Sequence, residues 1–201
     1  MSLYIVRHAQ KESGDFYNPR LRHQDPPLSL QGRLTAERLA GYFTGKPLAA
    51  IYVSEYQRTR QTVESLAAQR HLTPVQDARL NEIDNGRVDS LTEAEFRQRF
   101  PAEWAAYASR CADFRFPEGE TGVEAQGRIV AFVEEKRRQH GGENILAVSH
   151  DGLIRLLMCY VVGLPVYRRA DFQVDACGLM ELDYQADYGR WKLVRFNQVC
   201  G

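Results

Sequence analysis

Arg7-His8 follows the apolar run Leu3–Val6, and Ser54 follows the run 49–53, with Arg58 about one helical turn further on. Ser149-His150-Asp151 follows 144–148, and Leu80-Asn81-Glu82-Ile83-Asp84 follows a short run at 74–76. Two of the five histidines thus stand directly after apolar runs. A neutral imidazole is a nucleophile and can accept a phosphoryl group. That group keeps its charge on three oxygens during transfer, so cationic donors must surround it. Arg7 and Arg58 can supply bidentate contacts, and a protonated His150 another. A departing alkoxide needs a proton from a general acid, for which Glu82 is the best candidate in the sequence. Each residue alone has a plainer reading. A single histidine at a strand end is usually a structural hydrogen-bonder, and on spacing alone Glu82 is a solvated loop carboxylate. Convergence of the set is what points to chemistry.

These residues act together only if the chain delivers them to one place. The runs 3–6, 49–53 and 144–148 are short and wholly or almost wholly apolar, the pattern of strands buried on both faces. A helical stripe follows Ser29 (Ala36, Leu39, Ala40, Phe43), ended by Gly45 and Pro47, and another follows Ser54 (Thr59, Val63, Leu66, Ala67). Thr92–Glu95 and Thr121–Glu124 read as capping boxes, and the helix after Thr121 runs to about His140, where Gly141-Gly142 stops it. Residues 152–162 read as a buried helix. Residues 178–184 and 190–196 read as strands joined by a hairpin at Asp187-Tyr188-Gly189. Strands separated by helices predict an α/β fold: a three-layer α/β/α sandwich with a mainly parallel central sheet and a C-terminal antiparallel hairpin. The whole chain, 1–201, reads as one domain with a small helical cap insertion at about 85–120, broken at Pro101 and Pro117. Residues 10–28, with Gly14, Pro19, Pro26 and Pro27, read as a long loop. Sheets of this kind bind ligands at the carboxyl ends of their strands, where Arg7, His8, Ser54 and His150 lie.

The 201 residues carry 26 basic and 26 acidic side chains, so the formal net charge is zero. A general nucleic-acid or membrane-surface binder shows a basic excess, and neither partner is expected here. The basic set is lopsided, with 22 arginines against 4 lysines. Arginine offers phosphate and carboxylate a planar fork that lysine does not. Surface ion pairs are the plainer use for most of them. A phosphate site in this chain must therefore be a local cluster. The cysteines Cys111, Cys159, Cys177 and Cys200 form no CxxC pair. The N-terminus lacks a basic n-region, and the longest apolar stretch, between Arg155 and Arg168, is too short to span a bilayer. The expectation is a cytoplasmic protein with reduced thiols.

In this order the residues resemble the motifs of the histidine phosphatase superfamily, the phosphoglycerate mutase-like proteins. Its Arg-His-Gly appears as Arg7-His8-Ala9, and its Ser-x-x-x-Arg-Thr-x-x-Thr as Ser54 to Thr62. Its acid motif resembles Leu80 to Gly86, and its Ser-His-Gly-Gly-x-Ile-Arg resembles Ser149 to Arg155. Asp25-Pro26-Pro27-Leu28-Ser29-Leu30-Gln31-Gly32 and Pro117-Glu118-Gly119-Glu120-Thr121 resemble its two helix starts. The resemblance implies His8 as the nucleophile that becomes phosphohistidine. It implies Arg7, Arg58 and His150 as the phosphate pocket, and Glu82 as proton donor and then base. Glu120, Thr121 and Asp151 would lie near the substrate, with Asn18 a shifted counterpart of the family's first-loop Asn. No metal and no cofactor are implied, and 85–120 would form a partial cap. Ala9, Gln10-Lys11 and Asp151 depart from the pattern at the substrate-facing side.

The phosphatase branch fits better than the mutases, whose longer insertion and Arg-Arg-Ser-Tyr-type motif are missing. The leading expectation is a metal-independent phosphomonoesterase acting on a small phosphorylated metabolite. A cofactor-dependent phosphoglycerate mutase and a non-catalytic phosphate-binding module are the alternatives. Arg20, Arg22 and His23 in the first loop, and Arg87, Arg97 and Arg99 in the cap, could recognise a second anion or simply face water. An exposed hairpin edge leaves a homodimer open.

Overall fold

The computed structural model describes residues 1–199. Cys200, counted above, lies outside the described residues. In chain order the elements are β1 (Ser2–Arg7), β2 (Tyr17–Asn18), β3 (His23–Gln24), α1 (Leu30–Tyr42), β4 (Ala50–Val53), α2 (Gln57–Arg70) and β5 (Val75–Gln76). They continue with α3 (Glu93–Arg99), α4 (Pro101–Ser109), α5 (Gly122–His140), β6 (Ile145–Ser149), α6 (Asp151–Val162), β7 (Gly178–Gln185) and β8 (Arg190–Val199). The expected strands and helices all form, with ends shifted by a residue or a few. Both capping boxes close as read, with Thr92 and Thr121 each accepting from the backbone three residues on while Glu95 and Glu124 reach back. The first loop is the difference: within 10–28 the segments Tyr17–Asn18 and His23–Gln24 pair antiparallel. Two residues per strand are too few to leave an alternating pattern in a sequence.

Six strands form one sheet in the order β5-β4-β6-β1-β7-β8. The pairs β5/β4, β4/β6 and β6/β1 are parallel, while β7 and β8 add antiparallel at one edge. Side chains alternate across the sheet. Leu3, Ile5, Ile145 and Ala147 face α5 and α6, together with Ile129, Phe132, Leu153 and Leu157. Tyr4, Val6, Leu146 and Val148 face α1 and α2, with Leu39, Phe43, Val63 and Leu66. Two apolar layers thus sandwich the sheet, as the doubly apolar strands require. The cap helices α3 and α4 pack through aromatic rings: Phe96 meets Trp104 at 5.5 Å, and Tyr107 meets Phe116 of the following segment at 6.1 Å. Among the described residues no helix is long and apolar enough to cross a membrane.

Register fixes where the site falls. Val6 and Val53 both pair with Val148, and Arg7 pairs with Ser149. The chain therefore leaves β1, β4 and β6 at one level, and His8, Ser54 and His150 emerge side by side.

Candidate active site

His8 is buried, with its Nδ1 2.8 Å from the carbonyl oxygen of Ala9. A carbonyl only accepts, so Nδ1 carries the proton and Nε2 keeps a free lone pair. Burial first, then the Arg58 charge, pushes the His8 pKa down to about 3. The ring is neutral and nucleophilic at any ordinary pH. Its neighbour Arg7 donates through Nη1 to the Val174 carbonyl at 2.6 Å, while its buried Nε has no partner among the described residues.

Arg58 lies in the first turn of α2 with its guanidinium buried. Nη2 donates to Nδ1 of His150 at 3.1 Å, and the opposite ring nitrogen, Nε2, donates to Ser54 Oγ at 2.9 Å. Ser54 Oγ lies 3.0 Å from Thr59 Oγ1, which closes a buried relay from Arg58 to Thr59. Asp25 steadies the other side: its Oδ1 accepts from the Gln57 amide at 3.0 Å and pairs with Arg58 Nη1 at 3.6 Å. This arrangement corrects one expectation. With Nδ1 accepting from a guanidinium, His150 is neutral, and burial together with Arg58 and His8 holds its pKa well below the usual imidazole value. The ring centroids of His8 and His150 stand 5.1 Å apart.

Glu82 reaches the pocket from the segment after β5. Its Oε1 accepts from the amides of Ile83 at 3.0 Å and Leu153 at 3.1 Å, and Oε2 from Gly152 at 3.3 Å. The last two amides belong to the first turn of α6, whose dipole favours a negative charge. Burial nevertheless dominates and raises the carboxyl's pKa. A raised carboxyl that still meets three donors can hold a proton and release it, as a general acid must.

The loop carrying Glu82 is lashed down by Arg128 on α5. Its Nη1 donates to the carbonyls of Arg79 and Asn81 at 2.9 and 2.7 Å, its Nη2 to that of Glu82 at 2.9 Å. The same guanidinium grips both carboxylate oxygens of Glu120 at 2.9 Å, and Glu120 accepts from the Asp84 amide at 2.9 Å. Gly86 and Gly119 let the loop meet the base of the cap, since a Cβ on Gly119 would stand 2.3 Å from the Asp84 carbonyl oxygen. Gly32 permits a similar approach, where a Cβ would stand 2.0 Å from the Gln10 carbonyl oxygen. The chain after His8 is thereby pinned to the start of α1.

Arg7, His8, Arg58, Glu82 and Asp151 line one pocket of about 370 Å³, joined by Lys11, Gln24, Tyr56, Asn85 and Asp89. His150 stands immediately behind Arg58. Three of the residues expected near the substrate, Asn18, Glu120 and Thr121, do not line this pocket. Asn18 is occupied outside the pocket: its Oδ1 accepts from the Arg20 amide at 3.0 Å and its Nδ2 donates to Asp25 at 3.2 Å. Glu120 braces the Glu82 loop. Thr121 caps α5. The last two follow a segment that must both start a helix and support a loop, and those tasks use up their polar groups. Asp151 does reach the pocket, but it is ion-paired with Arg155 at 2.7 Å, which relieves its repulsion of phosphate. In the first loop His23 lies between Asp84 and Asp89, at 3.4 and 3.3 Å. Asp25, Ser54 as relay and Arg128 are the residues sequence reasoning missed; an aspartate buried ahead of Pro26-Pro27 is the one signal that could have pointed to any of them. Among the described residues no group of three or more His, Cys, Asp or Glu side chains is placed to hold a metal ion.

Comparison with known proteins agrees with this geometry. A family model described as histidine phosphatase superfamily (branch 1) matches residues 3–199. Phosphoserine phosphatase 1 of Hydrogenobacter thermophilus is 29% identical over 178 residues, covering 87% of this chain and 82% of its own. The probable phosphoglycerate mutase GpmB of Shigella dysenteriae is 30% identical over 193 residues, covering 92% and 86%. The solved structure of mycobacterial glucosyl-3-phosphoglycerate phosphatase with VO3 superposes with a TM-score of 0.77 at 26% identity, over 98% of each chain.

Proposed function

The chain belongs to the histidine phosphatase superfamily, branch 1, and is a phosphomonoester hydrolase of that family; we propose that its turnover passes the phosphoryl group through Nε2 of His8. The observation that carries this reading is the His8 tautomer: Nδ1–H is committed to the Ala9 carbonyl, which leaves Nε2 unprotonated in a pocket walled by Arg7 and Arg58. A phosphate dianion entering there meets the two guanidinium groups. Nε2 attacks phosphorus as the ester P–O bond breaks. Glu82 gives its proton to the leaving oxygen, releasing the alcohol. A water molecule then attacks the phosphohistidine, Glu82 takes back a proton, and inorganic phosphate leaves with His8 restored. Arg58, with Asp25 and His150 fixing its two ends, holds the transferring oxygens in place throughout.

Rapid acid-avoiding quench after mixing with a radiolabelled phosphoester tests the route. The expected result is acid-labile, alkali-stable label on the wild-type chain and none on His8→Asn, whose turnover falls by at least about a thousandfold. Absence of label, with undiminished turnover in His8→Asn, would remove His8 from the reaction. The same samples assayed for free phosphate and for isomerised phosphoglycerate separate hydrolysis from mutase activity, and free phosphate is the expected product.

A further inference from the structure

Tyr56 stands between β4 and α2, two residues ahead of Arg58, and is only 5% exposed. Its backbone is fastened to the Ser54 relay. The amide donates to Ser54 Oγ at 3.2 Å, and the carbonyl accepts from Thr59 Oγ1 at 2.8 Å. Its ring steadies the two groups on either side of that relay. The Arg58 guanidinium lies over its face at 4.2 Å, a cation–π contact. The His150 ring meets it edge-on, with centroids 4.9 Å apart. A phenylalanine would do all of this. What phenylalanine lacks is the hydroxyl, and that hydroxyl has no hydrogen-bond partner among the described residues. Buried tyrosine hydroxyls ordinarily find one. Burial also pushes the phenol's pKa up, so the oxygen keeps the proton it can donate.

Tyr56 borders two cavities, the His8 pocket and a neighbouring one of about 330 Å³. In the neighbour the arginines are already paired, Arg20 with Glu55 at 3.1 Å and Arg128 with Glu120 at 2.9 Å. In the His8 pocket donors stay unmet. Nε of Arg7 and Nε of Arg58 are buried without a partner among the described residues. The charges that act most strongly on the phenol, those of Arg58, Asp89 and Glu82, also line that pocket. Unmet donors gathered in one pocket call for a ligand with several acceptor oxygens.

We infer that the Tyr56 hydroxyl donates to an oxygen of the transferring phosphoryl group, beside Arg58. One side chain then both steadies the guanidinium and binds the group that guanidinium holds. The inference rests on the phosphoryl-transfer reading of the His8 pocket. A contact to the transferred group is made whatever alcohol departs, so its removal weakens every ester alike. Tyr56→Phe, which keeps the ring and both ring contacts, is the test. The variant should fold with an undiminished Tm. Its kcat/KM should fall by about ten- to a hundredfold, by a similar factor for p-nitrophenyl phosphate, O-phosphoserine and glycerol 2-phosphate. Inhibition by orthovanadate, which mimics the phosphoryl group in transfer, should weaken by at least about tenfold at that same unchanged Tm. Wild-type kcat/KM and wild-type vanadate inhibition in Tyr56→Phe overturn the contact. So does a loss confined to one ester, which would turn the hydroxyl toward the leaving group. So does a loss of activity that follows a lowered Tm while vanadate inhibition is unchanged, which would leave Tyr56 a packing role alone. Failure of wild-type enzyme to turn over any of the three esters instead overturns the reading of the His8 pocket.

Discussion

Folding takes protons away from His8 and His150. An unfolded imidazole binds a proton below about pH 6.5, whereas folded His8 does so only near pH 3. On acidification the unfolded chain is protonated first, so stability present above pH 6.5 is lost as pH falls toward 3. At pH 5 His8 alone costs about 2 kcal/mol, and His150 shifts in the same direction. Glu82 works the other way, since a raised carboxyl loses stability as pH rises through its own titration above 4.5. Tm should fall between pH 7 and 5, and His8→Asn, which cannot take the proton, should flatten that slope in calorimetry. An unchanged slope would show that the buried ring is not its source. At the other end of the reaction, Glu82→Gln keeps the shape but loses the proton. Turnover should drop by about a hundredfold with little change in KM. A preserved rate would assign the proton to another donor. The convergence of the candidate set was legible in the sequence because each member follows a short apolar run, and chain order alone brings such ends together in a parallel sheet. The state of His150 was not legible, because it depends on which ring nitrogen Arg58 faces.

Loops, here, are placed by an arginine rather than by their own sequence. Arg128 serves three carbonyls between residues 79 and 82 as well as Glu120, so one side chain on α5 sets the position of the Glu82 loop. Arg128→Met should destabilise by about 2–3 kcal/mol in denaturant melts and lower kcat well below the folded fraction, with KM little changed. Arg128→Lys should rescue poorly, because an ammonium cannot reproduce the fork. If kcat per folded molecule stays at the wild-type value, the loop holds its place without the clamp. The caps of α3 and α5 could be read directly, since their partners lie three residues apart. Arg128 could not: the carbonyls it holds lie 46 to 49 residues away, and nothing local separates it from 21 other arginines. The structural tasks of Thr121 and Glu120 were illegible for a related reason. They sit beside the Glu82 loop, where Glu120 braces it and Thr121 caps α5.

Two apolar layers share one sheet, so a defect in either is felt across the molecule. Phe132 is fully buried on the α5 side and stacks edge-on to Tyr52 at 5.4 Å. Phe132→Ala should cost about 3–5 kcal/mol by thermal or denaturant unfolding. A loss below 1 kcal/mol would mean that the layer can collapse into the gap. The layers and the parallel core follow from the doubly apolar strands, whereas strand order is set by long-range pairing that no short window records. Net charge, zero as a sum, resolves into a cationic pocket at the strand ends with Glu82 opposite. The grip on Glu82 has a consequence for mutational tolerance. Two of its partners are amides of α6, and no codon change short of proline deletes an amide. A saturation library across 151–153 should therefore leave the acid in position for most substitutions. Depletion should concentrate at proline on 153 and at most residues on 152, where a Cβ would press within 2.9 Å of the carboxylate. Selection would see the helix start as a backbone device whose function is buffered against drift in side-chain identity.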